Sequence, residues 1–121
     1  MSNRHKCKAL VISCIDFRFV TKVRDFLVKE RLKDNYDLIT VPGASLGLEN
    51  ITSSILTSLQ LHDPSIIYIF DHEDCGAYGK NNSKKAHTDN LKGAQRILLE
   101  DNPNKQVRIF ITGFTKIEEI Y

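Results

Sequence analysis

The sequence lacks several features that would place the protein in a specialised class. Its 121 residues carry a formal net charge of only +2, and no run of Lys or Arg is interleaved with aromatic residues, so we expect no nucleic-acid partner. No apolar stretch approaches the roughly 20 residues of a membrane-spanning helix, so we expect no membrane partner. The apolar run that follows the polar start Met1–Lys6 is too short for a signal peptide.

Cysteine is scarce, and its count is odd. Three cysteines argue against a disulfide framework and favour metal binding or thiol chemistry. We therefore expect a cytoplasmic protein whose thiols stay reduced. The turns after the strands lack a Gly-x-Gly-x-x-Gly pattern, so a nucleotide-binding role has little support. Repeats, linkers and low-complexity segments are also absent, which predicts a single domain over residues 1–121.

Strand patterns alternate with helix patterns along the chain. Continuous apolar residues over 8–13 and 65–70 predict strands that are covered on both faces. Two further strands are predicted over 37–41 and 107–111, and a short edge strand over 116–121.

Helical spacing of apolar residues appears between these strands. The first helix begins near Val20 and ends near the turn-forming residues 33–35. The second starts after Ser45, a plausible N-cap, and ends before Pro64.

A third helix is predicted from Thr88 to Glu100, with Thr88 or Asp89 as its cap. The basic residues of the segment 80–85 are interpreted as part of a solvated loop that precedes this helix.

The alternation predicts an α/β three-layer sandwich. We expect a mostly parallel sheet of four to five strands in the order 2-1-3-4, with helices on both faces. The winding of such a sheet reverses between strands 1 and 3, and ligands bind at that point beyond the carboxyl ends of the strands. Cys14 directly follows strand 1, and His72 lies just beyond strand 3. The topology therefore brings these two residues together.

Three potential metal ligands converge at this point of the fold. Thiolates from Cys14 and Cys75 with the imidazole of His72 suit zinc, and three protein ligands leave a fourth position open. Zinc lowers the pKa of a bound water to about 7, which supplies hydroxide at neutral pH. Gly76 is predicted to allow a sharp backbone bend behind Cys75.

Two charged residues follow Cys14 at alternating positions. Arg18 is predicted to pair with Asp16 and keep its carboxylate ionised. Asp16 would then accept a hydrogen bond from the metal-bound water, or would swing onto the metal if Arg18 released it. Glu73 and Asp74 add negative charge beside the metal and are not expected to bind it.

A plainer interpretation exists for each of these residues. Free cysteines such as Cys14 and Cys75 are often small buried hydrophobes. His72 alone would be a hydrogen-bonded loop histidine, and Asp16 with Arg18 would be a structural ion pair. We favour the metal site because all five residues lie at the ends of two strands that should be neighbours.

The remaining cysteine and histidines are expected to lie elsewhere. Cys7 begins strand 1, roughly 20 Å from Cys14 at the rise of a strand, and is interpreted as structural. His5 and His62 are interpreted as surface residues. His87 precedes the third helix, in a loop from which it can approach the metal.

The two motifs together resemble a known family. Cys-x-Asp-x-Arg after strand 1, with His-x-x-Cys-Gly after strand 3, is similar to the β-class carbonic anhydrases, from about Ala9 to Cys75. The resemblance implies Zn²⁺ on Cys14, His72 and Cys75, and an Asp16–Arg18 dyad that tunes the fourth ligand. It further implies reversible hydration of CO₂ to bicarbonate in a homodimer, or a higher homo-oligomer, with active sites near the interface.

The resemblance also includes a turn that contains glycine. The turn Pro42-Gly43-Ala44 matches a glycine-containing loop that lies close to the metal in that family, which makes Gly43, together with Gly76, a candidate for the wall of the site.

Two alternative functions stay open at this stage. The same residues with a different entrance would hydrolyse CS₂ or COS. A non-catalytic zinc-binding module, with Asp16 as a closed fourth ligand, is the other alternative.

Overall fold

The computed structural model describes residues 5–121, so residues 1–4 of the predicted polar start lie outside the described part. Five strands and three α-helices follow one another as β1 (Ala9–Ser13), α1 (Val20–Lys29), β2 (Tyr36–Thr40), α2 (Thr52–His62), β3 (Ile66–His72), α3 (Lys84–Asp101), β4 (Gln106–Thr112) and β5 (Ile117–Ile120). Two 3₁₀ helices, Ala44–Ile51 and Gly76–Tyr78, precede α2 and α3 respectively.

The strands form one sheet in the order β2-β1-β3-β4-β5. The first four are parallel, and β5 pairs antiparallel with β4 at the edge. The predicted order and the predicted edge strand are therefore confirmed. Ser13, at the end of β1, pairs with Thr40 of β2 on one side and Phe70 of β3 on the other, so the carboxyl ends of these strands meet at one edge.

Apolar side chains cover both faces of this sheet. Alternate residues of β1 point to opposite sides, Leu10 and Ile12 to one and Ala9 and Val11 to the other. The first face packs against α2 and α3 through a core that comprises Val41, Ile51, Ile55, Ile67, Ile69, Leu91, Ala94, Leu98, Val107, Ile109 and Ile111. The second packs against α1 through Val23, Leu27, Leu32, Tyr68, Phe70 and Phe110. These layers are the predicted three-layer sandwich, and each fully buried Leu or Ile stabilises it by about 1.5–3 kcal/mol.

The chain after β2 departs from its prediction. It first forms the 3₁₀ helix Ala44–Ile51, and α2 begins only at Thr52. The prediction that Ser45 is an N-cap is wrong, because Ser45 lies inside the 3₁₀ helix. Its hydroxyl donates instead to the buried carboxylate of Asp71, at 2.9 Å. A tertiary hydrogen bond thus replaces the capping role that local sequence preference predicted for this side chain.

Helix α3 begins one turn earlier than predicted. Its first residue is Lys84, and Ser83 is the cap, since the Ser83 hydroxyl accepts a hydrogen bond from the backbone N–H of Ala86 at 3.0 Å. Thr88 and Asp89 lie inside the helix, so the prediction that one of them caps it is wrong.

The boundaries of two other segments change as well. The predicted solvated loop over 80–85 ends in the first turn of α3, although its lysines are exposed. Helix α1 ends at Lys29, before the predicted turn, because Arg31 adopts a positive φ of 64° that a right-handed helix cannot continue. Among residues 5–121, no helix has the length and apolar character needed to cross a bilayer.

Candidate metal centre

The carboxyl ends of β1 and β3 bring three metal-binding side chains together. Cys14 directly follows β1, and His72 is the last residue of β3, one step earlier than the predicted position beyond the strand. The sulfurs of Cys14 and Cys75 and a ring nitrogen of His72 all lie within 4.8 Å of one another. All three residues are buried, with 8%, 2% and 2% of their surface exposed.

The imidazole of His72 is held so that one nitrogen faces the thiols without a partner. Its Nδ1–H donates to the backbone carbonyl of Glu73 at 2.7 Å, and its ring stacks on Phe19 with 4.3 Å between ring centres. Nε2 is therefore an acceptor. It is buried, and within residues 5–121 it has no hydrogen-bond partner.

An unpartnered buried nitrogen costs free energy that a bound cation would offset. Two thiols and one imidazole form a donor set that suits Zn²⁺. The side chains present thus fit the metal that the sequence implies.

Gly43 lies against Cys14, where the sequence predicted a wall of the site. Its backbone N–H donates to Cys14 Sγ at 3.4 Å. Its φ of +81° is in the left-handed region, and a Cβ there would come within 3.0 Å of Leu46 Cβ, so glycine is the residue that this close approach requires.

The two thiols of the centre affect each other. Burial, and in addition the neighbouring Cys14, raise the pKa of Cys75 to about 11. Two adjacent thiolates in this position need a cation.

Gly76 lies in a turn directly behind Cys75, where the sequence predicted a bend. The 3₁₀ helix Gly76–Tyr78 begins there, and the Tyr78 N–H donates to the Cys75 carbonyl at 3.1 Å. Gly76 is exposed, and a Cβ added to it would meet no atom within 4 Å, so space does not require glycine there. A second bend lies before Cys75 at Asp74, whose φ is 56°.

Asp16 and Arg18 form a paired unit at the rim of the donor group. Arg18 Nε and Nη2 donate to Asp16 Oδ1 and Oδ2 at 3.0 and 2.7 Å, and the backbone N–H of Arg18 donates to Oδ1 at 2.9 Å. These hydrogen bonds lower the pKa of Asp16 to about 2. Asp16 Oδ2 lies 3.8 Å from His72 Nε2, so the ionised carboxylate lies beside the donor group.

Asp74 fixes the far side of Arg18. Its carboxylate and its backbone carbonyl accept hydrogen bonds from Arg18 Nη1 and Nη2 at 2.9 and 3.0 Å. Glu73 has a structural contact instead, since its carboxylate accepts from the backbone N–H of Phe114 at 2.9 Å. Both acidic residues lie beside the donor group and outside it.

The sequence analysis missed a buried carboxylate beneath the centre. Asp71 is 1% exposed, and it accepts hydrogen bonds from the Ser45 N–H (3.0 Å), the Ser45 hydroxyl (2.9 Å), the Tyr78 hydroxyl (2.6 Å) and His87 Nδ1 (2.8 Å). Tyr78 belongs to the same buried cluster as Cys14 and Cys75. The network therefore adjoins the metal centre. A charged residue within the apolar strand β3 was the available signal, because such a residue needs buried partners.

Replacing Asp71 with Asn is expected to lower the free energy of unfolding by about 2 kcal/mol. The Asn amide group would replace one carboxylate oxygen with an NH₂ group, so some of the groups that donate hydrogen bonds to Asp71 would lose their acceptor. Urea unfolding at a fixed zinc concentration measures the change. The matched control is Asp25→Asn on the exposed side of α1. Equal stabilities of the two variants would contradict this role of Asp71.

His87 lies near the centre but does not join the donor group. It is 2% exposed, its Nδ1 is bonded to Asp71, and its Nε2 lies 2.7 Å from Asn82 Oδ1. Cys7 and His62 lie at the opposite end of the sheet, where they form a separate group with Asp37.

The fold and this donor set define an α/β protein with a candidate metal site at the switch point of a parallel sheet. The sequence matches the model of the family described as "Putative carbonic anhydrase" over residues 4–121. The chain belongs to that family.

Two curated relatives cover nearly the whole chain. An uncharacterized protein of Rickettsia bellii is 32% identical over an alignment of 137 positions, gaps included, that covers 97% of this chain and 84% of the relative. An uncharacterized protein of Rickettsia conorii is 32% identical over an alignment of 146 positions, gaps included, that covers 100% of this chain and 78% of the relative. Their names assign no activity, so the function has to be argued from the site.

Proposed function

We propose that the protein is a zinc-dependent carbonic anhydrase that interconverts CO₂ and bicarbonate. The observation that carries the proposal is the unpartnered Nε2 of His72, which faces two buried thiols in a chain of this family. Cys14, His72 and Cys75 are the residues that would hold Zn²⁺. Bound there, the ion would lower the pKa of a water molecule to about 7 and so supply the nucleophile for CO₂.

The paired Asp16 and Arg18 supply the second part of the proposed chemistry. Asp16 would accept a hydrogen bond from the metal-bound water, because its carboxylate is ionised and lies beside His72 Nε2. Arg18 holds that carboxylate in place through two side-chain hydrogen bonds and is itself fixed by Asp74. This arrangement favours a site that Asp16 assists over one that it closes.

The choice of CO₂ as the substrate rests on the family and on the donor set. A cavity of about 100 Å³ borders Cys14, and Val20, Val23 and Leu27 contribute to its lining. His72, Cys75 and Asp16 do not line it, so it is not assigned as the substrate site.

Stopped-flow measurement of CO₂ hydration from about pH 6.5 to 9, on protein of known zinc content, tests the proposal. We expect a rate that rises with pH through a single ionisation. Zinc-loaded protein without hydration at any pH would overturn the proposal. Sulfide release from CS₂ or COS by the same preparation would then identify the hydrolase alternative.

We also propose a homodimer with the site near its interface. Ile15, Phe17 and Phe114 lie around Arg18 and are 57%, 85% and 46% exposed, and burial of these side chains would stabilise a dimer. Light scattering that finds only monomer would contradict the homodimer.

A cytoplasmic location fits the proposed site, because Cys14 and Cys75 must stay reduced to bind zinc. Cell fractionation checks this location.

A further inference from the structure

A second group of metal-binding side chains lies at the amino end of the sheet. Cys7 comes two residues before β1, Asp37 is the second residue of β2, and His62 is the last residue of α2. One sulfur, one carboxylate oxygen and one ring nitrogen of these residues all lie within 4.8 Å of one another. The backbone N–H of Cys7 donates to the carbonyl of His62 at 3.0 Å, so the main chain itself holds the group together.

This group is separate from the Cys14–His72–Cys75 centre. Strand β1 runs between Cys7 and Cys14, which places the two sulfurs roughly 20 Å apart at the rise of an extended chain. The proposed CO₂ chemistry uses none of the three residues.

We propose that Cys7, Asp37 and His62 bind a second zinc ion, which fastens the start of β1 to β2 and α2. A thiolate, an imidazole and a carboxylate are all ligands of Zn²⁺. Thiolate and imidazole together favour zinc over Mg²⁺ or Ca²⁺, which take oxygen ligands.

The contact between His62 and Asp37 brings two of the proposed ligands together. His62 Nδ1 lies 2.9 and 2.7 Å from the two carboxylate oxygens of Asp37, and Ser58 Oγ donates to Asp37 Oδ2 at 2.6 Å. An ion held by both groups would take the place of the proton between them, so Nδ1 is the nitrogen that would bind it. Ser58 would then orient the carboxylate.

The sulfur of Cys7 is available to a metal. It makes one weak contact, a 3.3 Å hydrogen bond to the carbonyl of Ala9. It also lies within 4.8 Å of the ligand atoms of Asp37 and His62, so an ion between the three groups would need little movement of the side chains.

An entry path for an ion lies beside the group. A groove of about 350 Å³, lined in part by Asp37 and His62, opens there. The ring of His5 lies edge-on to His62 with 6.3 Å between ring centres, outside the group of three ligands.

Zinc counting on metal-stripped protein reloaded with Zn²⁺ tests the second site. We expect about two zinc ions per chain, and about one after Cys7→Ser or His62→Asn. Ser58→Ala is the matched control. It removes a hydrogen bond to Asp37 but none of the three metal ligands, and it should keep both ions. Cys7→Ser should leave CO₂ hydration within about two-fold, since the first centre is intact.

Alkylation of the wild-type protein gives a readout that needs no variant. Iodoacetamide labelling of Cys7, followed by peptide mass spectrometry, should slow at least about ten-fold when Zn²⁺ is bound, because a coordinated thiolate is shielded. One zinc per chain together with unchanged labelling of Cys7 would overturn the second site. A protein with two zinc ions and no CO₂ hydration would overturn the proposed activity alone.

Discussion

Replacing Cys75 with Ser is expected to empty the Cys14–His72–Cys75 centre of zinc and to slow CO₂ hydration at least about 1,000-fold, equivalent to about 4 kcal/mol of transition-state stabilisation. Cys75 is 2% exposed, so no other side chain or solvent molecule can easily take its place as a ligand. A serine hydroxyl is a far weaker ligand for zinc than a thiolate. Zinc analysis and stopped-flow hydration measure the two effects.

Two further variants separate loss of the metal from loss of the fold. Cys75→Ala removes the ligand without burying a hydroxyl, and should lose activity as Cys75→Ser does. Cys7→Ser removes a thiol from the opposite end of the sheet and should keep hydration. If Cys75→Ala retained zinc at the first centre and full activity, Cys14 and Cys75 would be ordinary buried residues, as free cysteines often are.

The sheet and the location of the first centre were predictable because they depend on simple patterns. The uninterrupted apolar runs of β1 and β3 distinguish central strands from edge strands. Right-handed crossovers then restrict the strand order, and that order makes β1 and β3 neighbours. Cys14 and His72 follow those two strands directly, so their proximity required no knowledge of side-chain packing.

The network around Asp71 was not predictable in the same way. Its partners Ser45, Tyr78 and His87 come from three different segments, and none lies at a fixed spacing from Asp71. Local rules assigned Ser45 to a helix cap because an isolated serine prefers that role. Burial of a carboxylate reversed that preference, since each donor near Asp71 stabilises a charge that would otherwise be unpaired.

The group at the amino end was missed for a related reason. Cys7 and His62 were considered one at a time, as a structural cysteine and a surface histidine. The rule that brings the carboxyl ends of β1 and β3 together also brings together the start of β1, the start of β2 and the end of α2, because α2 runs antiparallel to the strands. Applied to Asp37 as well, that rule would have placed all three residues at one edge.

Arg18 holds the carboxylate that would close the metal centre if it were released. Arg18 is the only described residue that hydrogen-bonds the Asp16 carboxylate through its side chain, and it contacts both oxygens. Asp16 Oδ2 already lies 3.8 Å from His72 Nε2. A released carboxylate therefore needs only a small movement to reach the fourth position of a metal held by His72 and the two thiols.

Replacing Arg18 with Gln is therefore expected to slow CO₂ hydration about 100-fold, or about 2.7 kcal/mol, while the zinc content stays unchanged. Asp16→Asn in the Arg18→Gln background should cost little more, because the two residues act as a unit. The control Asp74→Asn removes one partner of Arg18 but leaves its hydrogen bonds to Asp16, so it should retain most of the activity.

Cobalt-substituted protein adds a spectroscopic readout, since a carboxylate ligand in the fourth position changes the absorption of the ion. Full hydration in Arg18→Gln would make the dyad a structural ion pair, whereas loss of zinc would mean that Arg18 acts on the fold instead of on Asp16.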